Sequence, residues 1–554
     1  MIKKIILKFS SSPANPLLEI NEAPITVFVG PNNSGKSKIL MEIHQYCLSG
    51  NRINSDVILE NIEFNHLENP ENELNELTLG PFEHNKEGQN FINYGKSRYN
   101  VVDRNEILNA LCNPNKIKQR YCDQFVSFFT RMFNGVERIK LIEPQPIGEL
   151  LNKSYDTLQV LFKDDNKRKE VRRIIFDAFK KYFVLDPTSN GQLRIRLSDK
   201  EPIDIKQERG LHDEALEFYR KSLDIALTSD GVKAFVGIIT SIIAGDPRII
   251  IIDEPEAFLH PSLSYKLGKE ISSSINGAQK NIIASTHSSF FLMGCISSGV
   301  PINIIRLTYS NYIPTARVLS SEKVLKMMRH PLLRSTGVLN GLFYDYVIVT
   351  EADSDRSFYQ EINERLMMFD PNNGIFNCLF LNTQNKQTIH EIMKPLREMG
   401  IPCAAIVDID VIKEGGTVWS NLLKSAFVPP VTIDSSANSR SNLMNRFNAK
   451  DDKFKTNGGI NILDDTDKES CNNLFDQLDD YGIFTVRNGE LESWLKELDI
   501  KAKHSPAWLI ELFEKIGDDP LNKDYIKPST GDVWAFITKI NKWLNNSTRK
   551  GIPN

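Results

Sequence analysis

Two groups of residues in this chain have types and spacings suited to phosphate chemistry. Residues 30–37 read Gly-Pro-Asn-Asn-Ser-Gly-Lys-Ser, which fits the phosphate-binding loop pattern G-x-x-x-x-G-K-[ST]. Glycines allow the turns that bring successive backbone N–H groups onto phosphate oxygens. The lysine adds a mobile cation, and the hydroxyl after it can join a Mg²⁺ shell. Gly30, Asn32, Asn33, Ser34, Gly35, Lys36, Ser37 and Lys38 are therefore the expected nucleotide-contacting residues. More than two hundred residues downstream, four consecutive isoleucines at 249–252 form a buried-strand pattern that ends in Asp253-Glu254. Asp253 is placed to hold Mg²⁺ through water, and Glu254 to polarise a water attacking the γ-phosphate. The pair implies ATP binding.

The second group is acidic. The strand pattern Tyr346–Thr350 runs into Glu351, with Asp355 four residues on, and residues 402–407 run into Asp408-Ile409-Asp410. Carboxylates at the C-terminal ends of adjacent parallel strands converge on one crevice. Four of them repel unless a divalent cation neutralises them, and all-oxygen ligation suits Mg²⁺ or Mn²⁺. Glu492, after a further strand at 483–486, is the expected additional ligand. The alternative is that it or Glu490 simply caps a following helix containing Trp494, Leu495 and Leu498. Lys386 and Lys527 are candidate phosphate-facing lysines.

These residues need α/β scaffolds to hold them. The apolar run at 25–29 precedes the phosphate loop as a strand, and Ile39, Leu40, Met41 and Ile43 follow it at helical spacing. Thr228-Ser229-Asp230-Gly231 opens an apolar helix (Phe235, Ile238, Ile239, Ile242, Ile243), and Ser229 there reads as a helix cap. Residues 281–286 form another strand pattern, ending at His287. Between about 50 and 225 the sequence is polar and Asn-rich, with helical patterns at 117–133 and 165–183. A βαβ core does not need so long a crossover, so this stretch is expected to be an inserted helical or dimerisation arm. Its run Lys167-Arg168-Lys169 with Arg172 and Arg173 fits a solvated helix face better than a phosphate-binding one. The expected organisation is an ATPase domain at 1–325, a linker at 326–345, and a second α/β domain at 346–554 with a polar insertion at about 414–480.

At 554 residues the chain exceeds one core. Its net charge of −4 means that nucleic-acid binding must come from local basic patches. Seven cysteines without a C-x-x-C pair suggest reduced thiols and no zinc module. No run approaches the ~18 apolar residues of a membrane span, and the N-terminus reads as a strand, so a soluble cytoplasmic protein without membrane contacts is expected.

The order of the first motifs resembles the ABC-type ATPase fold of SMC and RecF-like proteins. The resemblance implies that Ser229 and Gly231 close over ATP held by a partner subunit and that His287 contacts the γ-phosphate. Here the signature reads Ser-Asp-Gly-Val-Lys in place of Ser-Gly-Gly-Gln. The Glu351 and Asp408-x-Asp410 pattern resembles the TOPRIM domain, with Ala352 where that family usually has glycine. The two together resemble the OLD (overcoming lysogenization defect) family of ATP-dependent nucleases. This implies metal-dependent DNA cleavage by Glu351, Asp408 and Asp410, with Asp355 as a further ligand, governed by nucleotide at the ATPase half. It also implies a homodimer or tetramer and a role in bacterial antiphage defence beside a co-encoded helicase or reverse transcriptase. No tyrosine adjoins the acidic motif, which favours hydrolysis over strand passage. The alternative is a non-cleaving, ATP-gated DNA clamp of RecF or SMC type.

Overall fold

The computed structural model describes residues 1–554 except 13, 87–88, 97–98, 152–155, 246, 276–279, 311, 336, 384, 503–505 and 554. The chain forms two compact units, Met1–Leu325 and Lys326–Asn554. Among the described residues, no helix is long and apolar enough to cross a membrane.

The first unit is built on a six-stranded sheet in the order Ile313–Leu319, Ile302–Ser310, Ile25–Val29, Asn281–Ser285, Ile249–Asp253, Thr130–Phe133. All neighbours are parallel except the hairpin between the first two. The central strands are almost wholly apolar and buried, as a parallel sheet covered on both faces requires. Helix Lys36–Ser49 packs on Asn281–Ser285, Ile249–Asp253 and the edge strand Thr130–Phe133, and shares a core with an antiparallel sheet of Glu19–Asn21, Ile2–Leu7 and Leu59–Phe64. Two smaller antiparallel sheets follow along the chain. One is made of Thr78–Pro81, Phe91–Gly95 and Tyr99–Asp103, and the other of Tyr182–Ser189, Gln192–Ser198, Leu223–Asp224 and Gln145–Pro146.

The stretch at 50–225 is not a single insertion. Leu59–Phe64 pairs with the first strand of the chain, and Thr130–Phe133 is the edge strand of the six-stranded sheet, in register with Ile249–Ile252. The helix read over 117–133 breaks for that reason. Lys118–Tyr121 is α-helical, Cys122–Val126 is a π turn, and by Thr130 the backbone pairs with its neighbour strand. Tertiary pairing here overrides a helical apolar spacing.

The basic run at 167–173 is likewise different from a solvated face. Helix Asp165–Phe179 buries Arg168 and Arg172, and both guanidinium groups donate to the buried carboxylate of Glu208, Arg168 Nε at 2.9 Å. Lys169 and Arg173 face outward, Arg173 paired with Glu170 and Glu270. Breaking a buried ion pair leaves uncompensated charge, so Glu208→Ala should cost the first unit about 3–5 kcal/mol. A urea-melt difference below about 1 kcal/mol would show that the cluster is not buried as described.

The second unit carries a four-stranded parallel sheet in the order Cys378–Asn382, Tyr346–Thr350, Cys403–Asp408, Ile483–Val486. Helices Asp353–Phe369 and Ile389–Glu398 connect the early strands. The polar stretch at 414–480 folds as helices Gly416–Ser425, Pro430–Lys450 and Asp465–Asp479. Residues 326–345 are also mainly helical rather than extended linker. After the last strand the expected helix is replaced by two short 3₁₀ turns, with Leu495 in the left-handed region and its N–H held by Asp532. Helices Ala507–Ile516 and Asp532–Asn545 close the core with Trp508, Trp534 and Trp543.

Candidate nucleotide site and candidate metal centre

The phosphate loop connects Ile25–Val29 to helix Lys36–Ser49. Gly30 (φ 148°) and Gly35 (φ 94°) are in the left-handed half of conformational space, and Asn33 joins them at φ 60°. A Cβ on Gly30 would come within 2.1 Å of the Leu307 carbonyl oxygen, so both the turn and its packing require glycine. Ser34 is buried, while Asn32, Asn33 and Ser37 are exposed. The Lys36 ammonium donates to the carbonyls of Gly30 (2.9 Å) and Pro31 (2.6 Å), and burial pushes it down to about 8. Lys38 leans instead toward Glu42, at 3.6 Å.

The parallel register places Asp253 opposite Ser285. Asp253 Oδ1 accepts hydrogen bonds from Ser37 Oγ at 3.1 Å and from Ser285 Oγ, which unites the two halves of the nucleotide motif. Glu254 follows with φ 49°, unusual for a residue with a Cβ. Its N–H donates to Ser285 O at 3.1 Å, and its carbonyl accepts from the buried Arg138. His287 Nε2 lies 3.4 Å from Glu254 Oε1. Burial lowers the imidazole pKa and Lys36 adds to the effect, which favours the neutral ring.

Sequence reading missed Arg138, which lies in a short helix with no motif. It also assigned nothing to Glu256, whose Oε1 accepts the His287 N–H at 2.7 Å. The signature residues are less clear-cut. Ser229 is exposed at the start of helix Asp230–Ala244 and makes no side-chain cap bond. Gly231 has a reason to be glycine within its own chain, because a Cβ would meet Phe258 O at 2.5 Å.

In the second unit, Glu351, Asp408 and Asp410 each present a carboxylate oxygen within 4.8 Å of the others. Glu351 Oε1 also accepts the Asp408 N–H at 3.1 Å. Asp410 Oδ1 is shielded from solvent and has no hydrogen-bond partner among the described residues. A buried acceptor left unpaired is costly, and this one fits a cation ligand. Burial, with Asp408 next, pushes Glu351 up to about 8 and Asp355 up to about 7. Burial also raises Asp408, against the pull of Lys455.

Asp355 stands apart from the trio, capping its own helix by accepting the Ala352 N–H at 3.0 Å. Glu492 adds negative field at Asp355, Asp408 and Glu490 without joining the trio. Of the candidate lysines, Lys386 reaches Asp410 at 2.8 Å and Glu414 at 3.3 Å. Lys527 does not belong to the site: its ammonium sits over the Phe369 ring, 5.2 Å from the centroid. The lysine that reading missed is Lys455, 2.8 Å from Asp408, 3.5 Å from Glu490 and 3.8 Å from Asp410. It arrives from the helical insertion, where no sequence signal distinguishes it from neighbouring lysines. Tyr359, the nearby phenol, is buried and accepts the Trp494 indole N–H at 3.0 Å, so it is not placed as a nucleophile.

Residues 145–293 match the family described as AAA domain, putative AbiEii toxin, Type IV TA system. Residues 342–410 match the overcoming lysogenization defect protein-like TOPRIM domain, a range that contains Glu351, Asp355, Asp408 and Asp410. No curated protein matches the chain. Among solved structures, an SMC head bound to the C-terminal winged-helix domain of ScpA is 17% identical, with 59% of this chain and 99% of that one covered and a TM-score of 0.36. The SMC head domain of Thermotoga maritima is 13% identical over 58% and 99%, with a TM-score of 0.29. A Pyrococcus furiosus SMC head with an extended coiled coil, bound to the C-terminal domain of ScpA, is 14% identical over 59% and 98%, with a TM-score of 0.34.

The raised carboxyl pKa values carry a sign. Folding binds protons more tightly than the unfolded chain does, so without a cation the cluster costs nothing below about pH 4. The cost grows as pH rises toward 7–8. Mn²⁺ or Mg²⁺ should therefore raise the melting temperature of the protein more at about pH 8.5 than at about pH 5.5. Glu351→Gln should flatten that difference. Equal cation shifts at both pH values would argue against a shared site.

Proposed function

Because the chain joins an ATPase domain to an OLD-like TOPRIM domain, the order that matches an OLD-family nuclease, we propose that it is a metal-dependent DNA endonuclease governed by ATP. The observation that carries this reading is the Glu351, Asp408 and Asp410 trio, with the unpaired Asp410 Oδ1 inside it. These three residues would hold Mg²⁺ or Mn²⁺, with Asp355 and Glu492 close enough to tune or extend the set. A divalent cation there supplies charge neutralisation at a phosphodiester and an acidified water. Lys455 and Lys386 flank the carboxylates from two sides and can turn toward a phosphate once a cation takes their place as counter-charge. Asp408→Ala should reduce Mn²⁺-dependent plasmid cleavage to background while ATP affinity stays unchanged, with thermal stability measured alongside. Cleavage persisting in both Asp408→Ala and Glu351→Ala would remove the assignment and leave the ATP-gated clamp.

At the other unit, Lys36 and the loop amides would bind the triphosphate, and Ser37 with Asp253 would complete the Mg²⁺ shell. Glu254 and His287 would face the γ-phosphate. Closure by the exposed Ser229 of a second subunit makes a homodimer the working assembly, with tetramers built from it. Lys36→Ala should lose ATP binding and any ATP-driven dimer in sedimentation, whereas Glu254→Gln should keep binding, lose turnover and accumulate the dimer. Unchanged ATP affinity in the lysine variant would sink the site. A soluble, cytoplasmic antiphage role beside a co-encoded helicase or reverse transcriptase completes the proposal. It is supported by the OLD-like domain and tested by phage plating with and without the neighbouring genes.

A further inference from the structure

The parallel ladder between Ile249–Asp253 and Asn281–Ser285 ends at the pair Asp253 and Ser285. Beyond that point two backbone N–H groups tie the strand ends together. The Glu254 N–H donates to Ser285 O at 3.1 Å, and Glu256 Oε1 accepts the His287 N–H at 2.7 Å. Both cross between the same two segments, so together they set the spacing of Glu254 and His287, whose side chains lie 3.4 Å apart. Arg138 fixes the Glu254 side of this staple by donating to its carbonyl.

Glu256 is an expensive way to hold one backbone amide, even with the Thr286 hydroxyl and its own N–H also favouring the carboxylate against burial. Its Oε2 is shielded from solvent and has no hydrogen-bond partner among the described residues. A carboxylate kept where half of it is unpaired has been retained against its own desolvation cost. Packing alone would be served by an apolar side chain.

We propose that Glu256 is a positioning residue of the nucleotide site, holding the His287 backbone so that the imidazole faces Glu254. The proposal rests on the reading of Glu254 and His287 as γ-phosphate-facing groups. It goes beyond that reading by assigning the second glutamate of Asp-Glu-Pro-Glu a role exerted through His287, not through contact with nucleotide.

Two measurements on the full-length chain test it. The first needs no turnover: amide hydrogen exchange at His287, read without nucleotide. It should speed up at least about tenfold in Glu256→Ala and stay slow in Glu256→Gln, which keeps an acceptor oxygen. Equal protection in all three proteins would overturn the proposal. The second is ATP turnover. Glu256→Ala should lower kcat about tenfold or more with ATP affinity within about twofold, and Glu256→Gln should restore most of it. In a His287→Ala background, Glu256→Ala should cost no further kcat. An additional loss there, or a Glu256→Gln variant as impaired as the alanine, would overturn the role through His287. A wild-type chain that binds ATP without turnover would refute the hydrolysis reading alone, since the exchange measurement still decides the staple.

Discussion

At 4.8 Å, the span of the Glu351, Asp408 and Asp410 oxygens, two full negative charges repel by about 3 kcal/mol at the effective dielectric of a protein site. Three such pairs would contribute most of the stability of an ordinary domain with the wrong sign. The second unit holds its carboxylates together by three means. Burial raises the pKa values of Glu351, Asp355 and Asp408, so that part of the charge is absent near neutrality. The Asp408 N–H is donated to Glu351. Lys455 and Lys386 are brought in from outside the strand ends as counter-ions. Among the described residues, these measures leave Asp410 Oδ1 without a hydrogen-bond partner. A divalent cation is the one partner that relieves all of the repulsion at once.

The nucleotide site is governed by the same geometry with less crowding. Asp253 and Glu254 also end a buried parallel strand, but their neighbours are neutral donors: Ser37, Ser285 and the backbone. Lys36 folds onto loop carbonyls, and burial lowers its pKa against the pull of Glu254, Asp253 and Glu256, so the loop contains a cation whose hydrogen bonds go to neutral acceptors. A triphosphate offers it charge instead. The crowded site is organised for a metal and the less crowded one for an anion, although both lie at the ends of parallel strands.

What could be read from sequence was what is local. The phosphate loop, the isoleucine strand with its two acids, and the Glu351 and Asp408-x-Asp410 spacing are each set within a few residues of chain, and their backbones follow from glycine placement and apolar runs. Lys455, Arg138 and the role of Glu256 were not legible, because each acts across a contact made only after folding. Lys455 lies more than forty residues from Asp408, in the turn after helix Pro430–Lys450, in a stretch whose composition is merely polar. The edge strand Thr130–Phe133 was hidden for a related reason: its spacing suits a helix, and only the neighbouring isoleucine strand pulls it into the sheet. Lys527 shows the reverse error, since a lysine near acidic motifs in sequence can end up over an aromatic ring.

The same distinction bears on cleavage against clamping. A domain that only bound DNA would need cations at its surface and would gain nothing from burying several carboxylates around an unpaired oxygen, because that arrangement repels phosphate. It becomes favourable toward a phosphodiester only when divalent charge is present to invert the local field. The lysines reinforce this. Both are tied to carboxylates rather than displayed to solvent, so neither would add to a binding surface unless a cation took its place. On the proposed reading a bound metal would decide whether the pocket repels or accepts a phosphodiester, a coupling that suits hydrolysis and would give a passive clamp no advantage.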